Sequence, residues 1–299
     1  MKFGLHLDNG SAHDVETLLT EWRAMVQLAD TSGFQYVSVV DHLAPFPDFR
    51  ARDLPLLDSW QLLSTYAGLT SNVTLFSLVN NGSLRHPVRL AKQLSSLDVL
   101  SEGRMAFGVG AGGYDLDEDA LGFTVSEARE RYARLDECIN LVRKLWSGEP
   151  VNFRGEFYRL QDVVSSPVPM HTPTVLVAGK SARILNIGAR AASAINFAFP
   201  TNKELTGLVR ALEAELDQEG RSLQDFEVTV LDRIFLSETS WQASGAPVVN
   251  GHPGLVGSAR ELVDLIKKRQ ELGMDTLLCM FPDLKSLRVF VHDVLPEFS

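Results

Sequence analysis

The sequence lacks most of the features that would link it to a membrane, a nucleic acid or a metal ion. Its two cysteines, Cys138 and Cys279, lie far apart in the chain and form neither a disulfide framework nor a metal-ligand spacing. Lysine and arginine total 28 against 38 aspartate and glutamate residues, and a net charge of −10 does not suit a phosphate backbone. No apolar run approaches the roughly 18 residues that span a bilayer, and the N-terminus lacks the apolar core of a signal peptide. These absences predict a protein of the reducing cytoplasm that binds neither nucleic acid nor membrane.

Several catalytic signatures are also missing. The chain contains no GxSxG, P-loop or HExxH motif and no cluster of His, Cys and carboxylate residues at metal-ligand spacing. Hydrolase and metal-enzyme functions therefore have no support, and no metal site is predicted. Apolar side chains, in contrast, are plentiful, since 45% of the residues are hydrophobic, which is enough to bury the core of one large domain.

Short apolar runs alternate with longer amphipathic runs along the whole chain, as in stacked βα units around a parallel sheet. The predicted strands are 3–7, 36–40, 73–79, 105–109, 174–177, 194–197, 228–234 and 276–280. The predicted helices are 15–30, 59–70, 88–100, 126–146, 182–191, 202–219, 258–272 and 284–294. This pattern predicts a TIM-type (β/α)8 barrel. An open doubly wound sheet is the alternative, but the residues after the first strand, Asp8-Asn9-Gly10-Ser11, lack the GxGxxG fingerprint.

No linker composition and no repeat divides the chain, which predicts a single barrel domain over residues 1–299. The longest departure from the alternation runs from Ser147 to Thr172, between the fourth and fifth strands. Within it, VNFRGEFYRL predicts a hairpin that turns at Arg154-Gly155. We interpret this segment as an insertion between two barrel units.

In such a barrel, functional side chains sit at the C-terminal ends of the strands and in the loops that follow them. Asp41-His42 follows the second strand, and this histidine could donate a proton or orient a substrate. The same pair also fits a plainer interpretation, a loop-capping aspartate beside a surface histidine. His86, before Pro87, fits a structural role at a helix start, whereas His6 in the first strand fits either the core or a pocket.

Two glycine-bearing loops follow the fourth and fifth strands. GVGAGG, residues 108–113, and Gly179-Lys180-Ser181 offer backbone N–H groups, a positive charge and a helix start, all suited to a phosphate. Each has an alternative, since glycine clusters also form ordinary turns and Ser181 alone fits a helix N-cap. Their occurrence after neighbouring strands favours an anion site. The acidic stretch that follows the first loop, residues 115–119, fits a solvated start to a helix.

At these loops the sequence resembles the luciferase-like monooxygenase superfamily, in particular its branch that uses the deazaflavin coenzyme F420. The matching pieces, which together cover nearly the whole chain, are FQYVSVVDHLAPF, HPVRLAKQLSSLDVLSEGRMAFGVGAGGYDLD, ERYARLDECINLVRKLW, FRGEFYRL and PTVLVAGKSARILNIGARAA. Their order and spacing make the resemblance specific. It implies a cofactor that lies over the barrel mouth.

Carried over residue by residue, the resemblance also implies roles at the site. Asp41 would contact the deazaflavin ring, and His42 would stand on the catalytic side. Ser77-Leu78 matches the position of a non-prolyl cis peptide that supports the ring, and Asn80 would touch the ring or the ribityl chain. The ribityl phosphate region would be held by Ala111, Gly112, Gly179, Lys180 and Ser181.

The chain departs at three places from the sugar-phosphate dehydrogenases of that branch. Their catalytic glutamate after the glycine loop aligns with Gly113, Phe46 replaces a tryptophan, and Ala178-Gly179-Lys180 replaces a commoner Gly-Gly pair. Loss of the glutamate favours a reductase over a dehydrogenase.

The resemblance therefore implies hydride transfer between coenzyme F420 and a small organic substrate, with reduction of a C=N or C=C bond. An FMN-dependent luciferase-like monooxygenase is the alternative, and a relative that binds flavin without turnover is another. The family further implies a homodimer.

Overall fold

The computed structural model describes residues 1–8, 14–43, 56–82, 84–113, 122, 126–237 and 254–298. Within them the strands are β1 Lys2–Leu7, β2 Tyr36–Val39, β3 Thr74–Ser77, β4 Asn80–Asn81, β5 Phe107–Gly110, β6 Val151–Arg154, β7 Arg159–Val163, β8 Val175–Ala178, β9 Ala194–Ala198, β10 Glu227–Leu236, β11 Leu255–Gly257 and β12 Thr276–Met280. The α-helices are α1 Val15–Thr31, α2 Ser59–Ala67, α3 Pro87–Leu100, α4 Ala128–Leu145, α5 Ala182–Ala191, α6 Asn202–Gln218, α7 Ala259–Glu271 and α8 Leu284–Asp293. None of the helices in these ranges is long and apolar enough to cross a membrane.

The main sheet is parallel throughout and nearly closes into a ring. Its strands follow the order β3-β2-β1-β12-β10-β9-β8-β5-β4, and β11 pairs with the end of β10. The remaining gap is bridged between Leu75 of β3 and Met105, two residues before β5, where the Leu75 N–H donates to the Arg104 carbonyl at 2.8 Å. The predicted (β/α)8 barrel is thus confirmed.

The two faces of the strands are buried against different partners. Because side chains alternate along a strand, Phe76, Leu176, Leu231 and Leu278 form a cluster that fills the barrel interior. Their neighbours in sequence, such as Leu75 and Val177, join a much larger cluster with the apolar stripes of the surrounding helices. Burial on both faces explains why the strands are short apolar runs rather than alternating ones.

The largest difference from the expected elements lies in the third strand. A continuous strand 73–79 was expected, but the structure divides it into β3 and β4, with a turn at Leu78 and Val79. The non-prolyl cis peptide joins Leu78 to Val79, so its expected position at Ser77-Leu78 is wrong by one residue. The reason is that the Leu78 N–H still donates to the Val39 carbonyl at 2.8 Å, which keeps the Ser77-Leu78 peptide in the ladder to β2.

The segment between the fourth and fifth barrel strands contains the expected hairpin. Strands β6 and β7 pair antiparallel, and the Gly155 N–H donates to the Tyr158 carbonyl at 2.9 Å across the turn. Glu137 of α4 fixes this turn, because its carboxylate accepts from the backbone N–H of Tyr158 at 2.8 Å and of Glu156 at 3.0 Å. The hairpin is therefore anchored to a barrel helix, while the assignment of the whole chain to one domain stays a prediction.

Candidate active site

The expected site residues all follow the same end of five adjoining barrel strands. Val39 of β2 pairs with Ser77 of β3, Asn80 of β4 pairs with Val109 of β5, and Val109 pairs in turn with Val177 of β8. The polar pair after β2 and the two glycine loops after β5 and β8 consequently lie on one arc of the barrel mouth. This is the face on which TIM barrels carry their active sites.

Asp41 is held in a fixed position by Ser59, the first residue of α2, and by Arg85, which follows β4. Its carboxylate accepts from Arg85 Nε at 2.8 Å and from Arg85 Nη2 at 2.5 Å, and the Ser59 hydroxyl donates to the same group at 2.7 Å. Burial would lower the pKa of Arg85, but its hydrogen bonds and charge interaction with Asp41 outweigh this and raise it. Asp41 is therefore a buried, tethered carboxylate, not the loop-capping residue of the plainer interpretation.

The two histidines at this end of the barrel differ in environment. His42 is half-buried at the mouth, directly after Asp41. His6 is buried inside the barrel, with Nδ1 2.9 Å from the Ser38 hydroxyl. Burial, followed by the nearby charges of His42 and Arg233, lowers the pKa of His6 to about 3. At neutral pH His6 is thus an uncharged group.

Two buried polar atoms, one in β3 and one in β4, have no hydrogen-bond partner among the residues that the structure describes. They are the hydroxyl of Ser77 and the side-chain carbonyl of Asn80, whose residues are both about 1% exposed. The amide nitrogen of Asn80 is by contrast satisfied, since it donates to the Gly108 carbonyl at 2.8 Å. Buried polar atoms are normally paired, so these two point to a polar ligand at the site.

The first glycine loop follows β5 and requires glycine at two places. Gly112 and Gly113 have φ values of 71° and 98°, in the region that favours glycine, and Ala111 beside them is buried. A Cβ on Gly113 would lie 2.5 Å from Nη2 of Arg131 on α4. The loop therefore lies against a guanidinium, and a glutamate could not occupy position 113 without displacing it.

The second loop follows β8 and leads into α5. Gly179 has a φ of 141°, and its N–H donates to the Asn196 carbonyl at 3.1 Å. The Ser181 hydroxyl accepts from the Ile184 N–H at 3.3 Å, so it is a helix N-cap, as the alternative interpretation had it. Lys180 is exposed, with Nζ 3.4 Å from the Phe199 carbonyl. Lys180 and Arg131 thus supply positive charge to the two loops.

Three of these residues, Arg85, Ser59 and Arg131, were not anticipated from the sequence. They lie in or beside helices, and only the closure of the barrel brings them to the mouth. The only local signal for Arg85 was its position just before the His86-Pro87 helix start. His86 itself caps that helix, because its side chain accepts from the Val88 N–H at 3.3 Å. Phe46 and the acidic stretch 115–119 lie outside the described residues.

A nearly closed parallel barrel with tethered polar groups and two anion-suited loops at one mouth defines a TIM-type barrel built to bind a ligand there. Across the described part of the chain, no group of three or more His, Cys, Asp or Glu residues is placed to hold a metal ion. The luciferase-like monooxygenase family model matches residues 1–246. The chain belongs to this family.

Two curated relatives and one solved structure similar to this chain carry F420 in their names. The F420-dependent hydroxymycolic acid dehydrogenase of Mycobacterium tuberculosis is 33% identical over 168 residues, 56% of this chain and 46% of the relative. The F420-dependent glucose-6-phosphate dehydrogenase of Kineococcus radiotolerans is 31% identical over 218 residues, 72% and 64% of the two chains. The aligned segment is thus about half to two thirds of these relatives. An F420-dependent secondary alcohol dehydrogenase, solved with an F420-acetone adduct, superposes with a TM-score of 0.85 at 16% identity over 100% of this chain and 99% of its own.

Proposed function

We propose that this chain is a coenzyme F420-dependent oxidoreductase that transfers a hydride between the cofactor and a small organic substrate, as a reductase of a C=N or C=C bond. The observation that carries the proposal is the pair of buried, unpartnered polar atoms, Ser77 Oγ and Asn80 Oδ1, beside two anion-suited loops on adjoining strands. The names of the curated relatives support the same cofactor.

The residues present fit a deazaflavin. Its ring carries N–H donors and carbonyl acceptors, which can pair with the Asn80 carbonyl and the Ser77 hydroxyl and so relieve the cost of leaving them buried and unpaired. Its ribityl phosphate suits the N–H groups of Ala111 and Gly112, the start of α5 at Ser181 and the charge of Lys180. The buried Leu78, between Ser77 and Asn80 in the chain, would give the ring an apolar support.

When bound, the cofactor supplies or accepts the hydride, and the protein supplies orientation and a proton. We assign that proton to His42, the half-buried histidine that directly follows Asp41 at the mouth, while His6 stays uncharged. Asp41 would contact the ring from a position fixed by Arg85 and Ser59. With both of its carboxylate oxygens already bonded, Asp41 is assigned to orient the ring.

Gly113 supports the reductive direction of the proposed reaction. The position where related dehydrogenases carry an acid is occupied here by a glycine packed against Arg131. Without that acid, we place the chain among the reductases.

The test is a binding comparison followed by a turnover assay. Coenzyme F420 is expected to bind more tightly than FMN, as followed by the fluorescence of each cofactor. A panel of imines, enones and secondary alcohols is then offered with reduced or oxidised F420, with and without oxygen. Tighter FMN binding together with oxygen-dependent turnover would refute the proposal in favour of a monooxygenase. Tight F420 binding with no turnover on any substrate would favour a non-catalytic binding protein.

We further propose a homodimer located in the cytoplasm. The two cysteines are buried free thiols, which suits a reducing compartment, and the buried environment raises the pKa of Cys138 to about 12 and so keeps it protonated. Light scattering after size exclusion tests the dimer.

A further inference from the structure

The barrel mouth contains a buried arginine, Arg233, to which the proposed cofactor site assigns no role. Arg233 lies near the C-terminal end of β10, and only 6% of its surface is exposed. Burying a guanidinium is costly unless it serves a partner. Burial lowers the pKa of Arg233, and the carboxylates of Asp8 and Asp232 act in the opposite direction.

Strand register places Arg233 in the layer of interior side chains nearest the mouth. Arg233 pairs with Met280 of β12, and Leu231 pairs with Leu278, two residues earlier on each strand. Leu231, Leu278 and Met280 all belong to the cluster inside the barrel, so Arg233 points inward as well. The guanidinium lies over the Phe199 ring, 4.8 Å from its centroid, which holds it flat against one wall.

His6 lies in the same layer as Arg233. His6 pairs with Ser38 of β2. Leu5, the residue before His6, pairs with Cys279, the residue before Met280, so His6 is level with Met280. The charge of Arg233 is close enough to contribute to the low pKa of His6. One wall of the mouth, formed by β10, β12 and β1, thus presents a cation beside an uncharged imidazole.

This wall faces the proposed cofactor site across the barrel. The cofactor residues lie at the ends of β2, β3, β4, β5 and β8, whereas β1, β12, β10 and β9 complete the other side of the ring. A molecule between the two walls would have the cofactor on one side and Arg233 on the other.

One terminal nitrogen of the Arg233 guanidinium, Nη1, is buried and has no hydrogen-bond partner among the residues that the structure describes. Asp232 is on the opposite face of β10, where its carboxylate forms a buried ion pair with Arg269 of α7. Asp8, two residues beyond His6, balances the charge from the mouth side. A guanidinium carries five N–H donors in a planar fork that matches an oxyacid, so the N–H groups of Nη1 are suited to an anion that enters from the mouth.

We propose that Arg233 is a specificity-determining residue that binds an anionic oxyacid group of the substrate, a carboxylate or a phosphate. This assignment rests on the proposed function, because it takes the opposite wall as the cofactor site. It narrows the substrate class to organic anions whose reducible bond lies between the oxyacid group and the cofactor.

Anion binding is measured by isothermal titration of the cofactor-free protein with acetate, benzoate and inorganic phosphate, at ionic strength held constant with chloride. At least one of these anions is expected to bind the wild type to saturation. The Arg233→Met substitution is expected to weaken the affinity for that anion about tenfold to a hundredfold, as expected for the loss of hydrogen bonds to a charged group. Arg154→Met, an exposed arginine on the hairpin, is the matched control and should change nothing. Because phosphate can also bind the loop after β8, Lys180→Met separates that site. Saturation that survives in Arg233→Met but is lost in Lys180→Met overturns the proposal.

A second variant guards against misfolding of Arg233→Met. Asp8→Asn removes the carboxylate that competes for the guanidinium, and it should tighten anion binding several-fold. Unchanged or weaker binding would contradict the proposal. Titration of Arg233→Met with F420 separates the anion site from the proposed function. If the affinity for F420 stays within twofold of the wild type, the proposed function stands, whether or not anion binding changes.

Discussion

Removal of the Arg85 guanidinium is expected to destabilise the cofactor-free protein strongly, because it strands the Asp41 carboxylate. The side chains of Arg85 and Asp41 are 14% and 3% exposed, and their ion pair has two hydrogen bonds. Breaking a buried pair by deleting one partner costs about 3–5 kcal/mol. In Arg85→Met the Ser59 hydroxyl still donates to Asp41, so we expect the lower end, about 3 kcal/mol. For a chain of this size that corresponds to a fall in melting temperature of roughly 6 °C.

The free energy of unfolding is measured in urea, with circular dichroism as the probe. Arg89→Met, an exposed arginine on the following helix α3, is the matched control and should stay within about 0.5 kcal/mol of wild type. The double variant Asp41→Asn, Arg85→Met tests the cause, since it removes the stranded charge and should be more stable than Arg85→Met alone. If Arg85→Met is as stable as its control, Asp41 is not held by this ion pair, and the geometry assigned to the site is wrong.

Three further predictions concern the mouth. His42→Gln should lower turnover about a hundredfold or more, because a positioned proton donor typically contributes that much in rate, while F420 affinity falls less than tenfold. If steady-state assays show equal turnover in the variant and the wild type, His42 is not a catalytic residue. Gly112→Asp should weaken F420 binding in a folded protein, since a carboxylate would oppose the phosphate, and unchanged affinity by fluorescence titration would show that this loop is only a turn. His6 has a pKa of about 3 in the folded protein against 6.5 in a free side chain, so its contribution to stability is complete above pH 6.5 and is lost as the pH falls towards 3. His6→Gln should therefore lose less unfolding free energy than wild type between pH 7.5 and 4.5, and parallel losses in urea titrations would contradict the low pKa.

The sequence alone was enough to predict the barrel and the loops at its mouth. The helix 182–191 and the strand 276–280 have the bounds that periodicity predicted. Such elements are local, because each depends on side-chain spacing over a few turns or a few strand residues and on its own cap. The position of Asp41-His42 after a buried strand followed from the same spacing, since a parallel barrel brings the C-terminal ends of all its strands to one face.

The tertiary structure decided which side chains meet at that face. Ser59, Arg85 and Asp41 are separated by up to 44 residues, and nothing in their local sequence indicates that they share hydrogen bonds. The same holds for Arg233, which sits in a strand with the composition of a core strand and becomes a mouth residue only through the register of β10 with β12. Contacts between side chains that are distant in sequence depend on closure of the barrel and on the register of its strands. The sequence shows only how apolar side chains recur within each strand. The sequence thus predicts which polar residues lie at the mouth of the barrel. The side chains that bond to those residues are known only from the folded structure.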